Sequence, residues 1–272
     1  MNILMPTDFS ENSWNAISYA LSFFKNVYTN FYFLHVEPNE WEQDEEDLPT
    51  VQVKAKNSAT AFQVLLERLG NQQLNNKHQF YTSLERGHFV DTVREHVQER
   101  DIDFIVMGTQ GASGYKEATV GSHSTEVITR VKCPVLVIPE NASYREPKNI
   151  TFPTDFNISY KNKVIHTLKQ VCHFNESALS VLYLSKKSED LTERQEGNKA
   201  YLKEQLLEID HSFHYTRNDT LEEAVQSFVT SHDTQMITMM AKNLNFFQHI
   251  LFHPLAKKIS YHKEIPFLVL HE

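Results

Sequence analysis

The tetrapeptide Pro-Thr-Asp-Phe occurs twice, at residues 6–9 and again at 153–156, and this internal echo limits the possible folds more than any other feature. Each copy follows a short β-type run, NILM and NITF, and precedes a helix with matched apolar spacing: Ile17, Leu21 and Phe24 against Val164, Leu168 and Val171. Apolar strands come next, YFLHV (32–36) and SVLYL (180–184), and both copies close on a proline-led strand, PVLVIPE (134–140) and PFLVLHE (266–272). Counted back from those prolines, IVMGTQG (105–111) lies opposite ITMMAKN (237–243) without a gap. A repeat spacing near 147 residues is too long for a solenoid unit, whose period is on the order of 20–50 residues. It predicts two similar domains in tandem, over 1–140 and 148–272, joined by the polar, proline-bearing stretch PENASYREPKN (139–149).

Within each copy, strand-type runs alternate with helical patterns, near 11–25, 51–70, 88–99 and 122–131 in the first. That alternation predicts an α/β fold, a five-stranded parallel sheet covered by helices on both faces. In the common strand order 3-2-1-4-5 the order reverses between strands 1 and 4, and open α/β sheets bind ligands beyond the carboxyl ends of their strands at that point. Asp8 ends strand 1 and Gly108 ends strand 4, so two oddities distant in sequence would meet in one crevice. The closing strands would be apolar sheet edges, which proteins pair or cover. They are expected to pair antiparallel with each other as an intrachain pseudo-dimer, with a further homodimer left open.

The crevice draws interest because four of the chain's seven glycines fall within residues 108–121. Glycine tolerates positive φ and admits a ligand close to the main chain. A strand, a glycine-bearing loop and a helix start suggest a phosphate cradle, since the first N–H groups of a helix have no intrahelical partner and its dipole favours anions. Gly108 and Gly111, following Met107, would let a sugar or base lie against bare backbone. Gly121, Ser122, His123 and Ser124 would open helix 4, with the Ser122 and Ser124 hydroxyls as further donors. Asp8 can accept from an adenine amine or a ribose hydroxyl, and the backbone of Val36 could meet the base edge. Taken singly, the glycines are equally turn formers, Ser122 a helix cap, and PTDF a turn leading to Ser10 as the cap of helix 1.

The pattern G-x2-G-x9-G-[ST], met by Gly108, Gly111, Gly121 and Ser122, resembles the ATP-binding signature of the universal stress protein (UspA) family. The opening strand with PTDF, Leu34-His35-Val36 and the closing CPVLVIP fit that family too. The resemblance implies two tandem Rossmann-like domains of the adenine nucleotide alpha hydrolase-like (HUP) kind, in a cytoplasmic stress-response protein. It implies ATP, or ADP or AMP, as ligand, with Mg2+ as an optional companion. Pro6, Thr7, Asp8 and Val36 would hold the adenosine end. Met107, Gly108 and Gly111 would lie along the ribose and first phosphate, and Gly121, Ser122, His123 and Ser124 would hold the phosphate tail. His123 would act through its backbone N–H.

The second copy departs from this pattern. Opposite Gly108, Gly111, Gly121 and Ser122 stand Met240, Asn243, His253 and Pro254, so side chains take the space of a nucleotide and proline removes an N–H. No nucleotide is expected there in the first copy's manner, although Asp155 persists.

Bulk properties exclude other classes. A net charge of −9 and a pI near 5.9 argue against general nucleic-acid binding, and no run reaches the roughly twenty apolar residues of a membrane span. The acidic block EPNEWEQDEED (37–47) reads as a solvated loop. The opening MNILMPTDFS lacks the marks of a signal peptide, and Cys133 and Cys172 read as buried reduced thiols, which suits the cytoplasm. No G-K-[ST] tripeptide is present, so a conventional phosphate-loop NTPase is excluded. Slow ATP hydrolysis is compatible with the sequence, but a dedicated catalyst is not supported and the chain is expected not to be an enzyme. His249 and His253 have a helical metal-ligand spacing without the catalytic glutamate, and His211 and His214 flank a strand-like stretch; no metal site is expected from either. A nucleotide-independent interaction module is the main alternative function, its protein partner unknown.

Overall fold

The computed structural model describes residues 1–38, 48–72, 75–109, 122–185, 190–217, 221–242 and 261–272. The first half runs β1 (Asn2–Pro6), α1 (Glu11–Phe23), β2 (Thr29–Glu37), α2 (Leu48–Gly70), β3 (His78–Arg86), α3 (Phe89–Glu99), β4 (Phe104–Gly108), α4 (Ser122–Arg130) and β5 (Val135–Ile138). The second runs β6 (Asn149–Thr154), α5 (Asn162–Asn175), β7 (Ala178–Ser185), α6 (Glu193–Gln205), β8 (His211–Arg217), α7 (Leu221–Ser231), β9 (Met236–Met240), α8 (Tyr261–Glu264) and β10 (Phe267–Leu270).

The ten strands of the described residues join one sheet in the order β3-β2-β1-β4-β5-β10-β9-β6-β7-β8. Each half therefore has the expected order 3-2-1-4-5, with parallel pairing inside the half. The central strands are buried on both faces, as continuous apolar runs such as Ile3-Leu4-Met5 demand. Alternate residues serve opposite faces. Phe104, Val106, Leu136 and Ile138 pack with Ala16, Ile17, Phe62 and Leu65 of α1 and α2, whereas Ile105, Met107, Val135 and Val137 pack with Val90, Val93, Val127 and Ile128 of α3 and α4.

The halves meet where β5 and β10 pair antiparallel, with Leu136 opposite Leu268, flanked by Val137↔Phe267 and Val135↔Val269. The expected edge pairing is thus present, and each of the two main apolar clusters draws residues from both halves. The polar connection between them is pinned down. The Asn15 amide donates to the carbonyls of Pro139 (3.2 Å) and Ala142 (3.0 Å), Ala142 is buried, and Tyr144 packs edge-on against Tyr19 with ring centres 5.2 Å apart. Cys133 and Cys172 are buried free thiols, and burial pushes both up to about 12.

Candidate functional site

The site begins with a split in the sheet. β1 pairs with β4 only through Ile3↔Phe104 and Leu4↔Ile105, yet it follows β2 as far as Pro6↔Leu34. β4 in turn follows β5 as far as Gly108↔Ile138. Beyond Leu4 and Ile105 the two central strands diverge, leaving Met5 and Pro6 on one bank and Val106, Met107 and Gly108 on the other. This is the strand-order reversal, where α/β sheets receive ligands.

On the β1 bank, PTDF folds into a tight corner. Thr7 N–H donates to the Leu34 carbonyl at 2.8 Å, and Thr7 Oγ1 accepts from Phe9 N–H at 3.1 Å. Ser13 Oγ donates to the Ser10 carbonyl (2.9 Å), so the Thr7 hydroxyl supplies the proton of its own 3.0 Å bond to Ser13. Phe9 sits in the left-handed region at φ 62°, costly for a residue with a side chain. That conformation places its ring 4.7 Å from His35 and 4.9 Å from Phe62. His35 Nδ1–H donates to the Thr7 carbonyl at 2.7 Å, tying β2 to the corner. Asp8 Oδ1 accepts from Ser10 N–H (3.1 Å) and Ser10 Oγ–H (2.6 Å), while Ser10 caps α1 by accepting from Ser13 N–H. The carboxylate at the rim of the split is therefore held in one orientation.

The same corner recurs in the second half. Thr154 Oγ1 accepts from Phe156 N–H (3.0 Å) and bonds Tyr160 Oη (2.7 Å), Asp155 Oδ1 accepts from Asn157 N–H (3.0 Å), and Phe156 lies at φ 55°. Its ring stacks on Tyr183, the counterpart of His35, at 5.2 Å. PTDF is first a device for turning from strand to helix.

On the β4 bank, Thr109 N–H donates to the Ile138 carbonyl and Gly108 is half-buried. Ser122 and His123, at the start of α4, are exposed. Ser124 differs from expectation. It is buried, and its hydroxyl donates to the Gly108 carbonyl at 2.8 Å, so its one proton joins helix to strand and does not face the split. The His123 ring stacks on Phe89 with centres 4.4 Å apart. The Met107 side chain is buried among α3 and α4 residues, leaving its main chain to face the split. Gly111, Gly121 and the remainder of the glycine loop lie outside the described residues.

Pro6, Thr7, Asp8, Val36, Met107 and Gly108 thus end β1, β2 and β4 at one edge of the sheet, and Ser122, His123 and Ser124 open the helix tied to that edge by Ser124. Sequence reading passed over Phe9 and His35, which hold the corner; the pairing of PTDF with an LHV strand was their only signal. It also assigned Glu37 to a solvated loop. Glu37 instead ends β2, buried, with Oε2 3.4 Å from Arg86 Nε; positions 39–47 lie outside the described residues. At Gly108's counterpart, Met240 is buried and pairs with Leu270 as Gly108 pairs with Ile138. Asn243, His249, His253 and Pro254 lie outside the described residues. His211 and His214 both belong to β8, and among the described residues no three histidine, cysteine or acidic groups cluster as for a metal ion. Among them, too, no helix is long and apolar enough to cross a membrane.

A doubly wound sheet in the order 3-2-1-4-5, split at its reversal beside an oriented aspartate and a helix start, defines a Rossmann-like α/β protein. Residues 1–139 match the sequence profile of the Universal stress protein family, and the chain belongs to that family. It is 27% identical over 144 residues to a universal stress protein of Methanocaldococcus jannaschii, an alignment covering 50% of this chain and 80% of the relative. The crystal structure of a universal stress protein from Archaeoglobus fulgidus superposes with a TM-score of 0.71 at 17% identity, covering 99% of this chain and 98% of the other. A functionally unknown protein from Pseudomonas aeruginosa gives 0.57 at 13% identity, over 99% of this chain and 92% of that one. These two likenesses extend the fold across both halves.

Proposed function

We propose that this chain is a cytoplasmic, regulatory stress-response protein that binds ATP, or ADP or AMP, in its first half. The observation that carries the reading is the split between β1 and β4, with a held carboxylate on one bank and a helix N-terminus on the other. The site is built to bind, and its adenosine end would rest on Pro6, Thr7, Asp8 and the Val36 main chain. Ribose and first phosphate would run along the Met107, Gly108 and Gly111 backbone. The phosphate tail would meet main-chain N–H groups of Gly121, Ser122, His123 and Ser124, where helix dipole and orphan donors both favour anions. Mg2+ is an optional counter-ion to that tail. The Ser124 hydroxyl would hold Gly108 in place, and the Ser122 hydroxyl would be the side-chain donor of the pair.

In this reading residues 1–140 and 148–272 are two domains of common design, and only the first takes nucleotide. Met240 supports the asymmetry, because a buried side chain stands where Gly108 offers bare backbone. Binding would regulate by favouring one of two states of the chain, which requires a difference in affinity between them. Mass spectrometry of small molecules released from the purified protein tests the reading. An adenine nucleotide at up to one equivalent per chain is the expected result. Protein free of ligand that also ignores millimolar ATP would favour a nucleotide-independent interaction module.

A further inference from the structure

Far from the split, the second half brings two histidines together across elements. His214 lies in β8, an edge strand, and His232 follows the end of α7. Their ring centres are 5.0 Å apart at an interplanar angle of 73°. The His232 ring is clamped: it stacks on Phe228 at 3.8 Å, and its Nδ1–H donates to the Phe228 carbonyl at 3.1 Å. Ser231 Oγ, which also donates to that carbonyl at 3.1 Å, lies 2.9 Å from the same Nδ1, and with the proton on Nδ1 the lone pair falls on Nε2. His214 also packs on Phe228 at 4.9 Å, and its Nε2 bonds Ser212 Oγ at 2.7 Å. Neither His214 Nδ1 nor His232 Nε2 has a hydrogen-bond partner among the described residues.

We propose that His214 and His232 form a two-imidazole site for a first-row divalent ion of the zinc or nickel kind, with water completing its coordination. The spacing suits such an ion. With ligand nitrogens about 2.0–2.1 Å from the metal, each ring centre lies roughly 3.2 Å from it, and two rings at a tetrahedral angle have centres about 5 Å apart. The surroundings suit it as well. Metal-bound histidines donate their second N–H to a carbonyl or hydroxyl, which sets ring orientation, and His232 does so to Phe228. His214 would do the same to Ser212, metal binding selecting the tautomer with Nε2–H donating. Burial, and then the neighbouring His232, hold the His214 imidazole below its ordinary range. The two members lie on different elements, so their separation in sequence carries no metal-ligand spacing. A bound ion would staple edge strand β8 to α7.

Titrating the full chain with ZnCl2 by calorimetry at pH 7.5 tests the site. One ion per chain at micromolar affinity is expected, weakened tenfold or more by either His214→Ala or His232→Ala and lost as pH falls towards 5. Imidazole 15N spectra recorded during the same titration of the unsubstituted protein provide a readout independent of how the variants fold. The signals of His214 and His232 should move together and saturate at one equivalent. If both variants bind zinc as the parent does, or other histidine signals saturate first, the site does not exist.

Discussion

At the residue scale, three side chains show how position decides chemistry. Phe9 and Phe156 accept a left-handed backbone because each ring then finds an aromatic partner, His35 in one half and Tyr183 in the other. His271 illustrates burial. Its Nε2–H donates to the Ile128 carbonyl at 2.7 Å, while Nδ1 is buried without a partner. Burial holds the imidazole below its usual range, against the opposing pull of that carbonyl. The unfolded chain therefore takes up this proton at higher pH than the folded one. Stability is complete above the unfolded value of about 6.5 and falls as the pH drops below it. Urea midpoints between pH 7 and 5 should decline, and His271→Gln, which keeps a donor but cannot titrate, should flatten that slope. His78, His96 and His214 are shifted in the same direction and would supply the slope that remains. An identical slope in the variant would show that His271 is not a contributor.

At the element scale, the helix–strand joint at α4 is the part most closely coupled to the proposed function. Ser124→Ala removes the bond to the Gly108 carbonyl, for a loss of about 1 kcal/mol in folding stability. By loosening the helix start it should also weaken ATP binding several-fold in calorimetry; unchanged affinity would mean that the joint does not position the phosphate site. Much of this scale was legible in the sequence. Glycine spacing, Pro-Thr-Asp-Phe and the closing prolines located the strands, and the repeat located their counterparts. Orientation was not legible. Whether a serine hydroxyl at a helix start faces solvent or the preceding strand depends on packing, and Ser124 turns inward. The Asn15 amide that straps down the connection between the halves was equally hidden, because its acceptors lie over a hundred residues away. Glu37 was misread because an acidic run in sequence does not reveal where its strand ends.

At the scale of the whole molecule, the antiparallel β5–β10 seam joins the halves into one ten-stranded sheet, and two clusters cross it. Leu268, buried opposite Leu136, belongs to that seam, and Leu268→Ala should cost on the order of 2–5 kcal/mol. Unfolding in urea should follow a single transition by far-UV circular dichroism and by the fluorescence of Trp14 and Trp41, both in the first half. Separate transitions by the two probes would show that the halves are independent.

The two halves share a scaffold and a corner, and they differ at the bank opposite that corner. The most direct measurement of the central claim is therefore calorimetric titration of ATP into the full chain and into two mirrored variants, Asp8→Ala and Asp155→Ala. One site per chain is expected, weakened tenfold or more by Asp8→Ala and untouched by Asp155→Ala. Two equivalent sites, or equal losses from both variants, would contradict it.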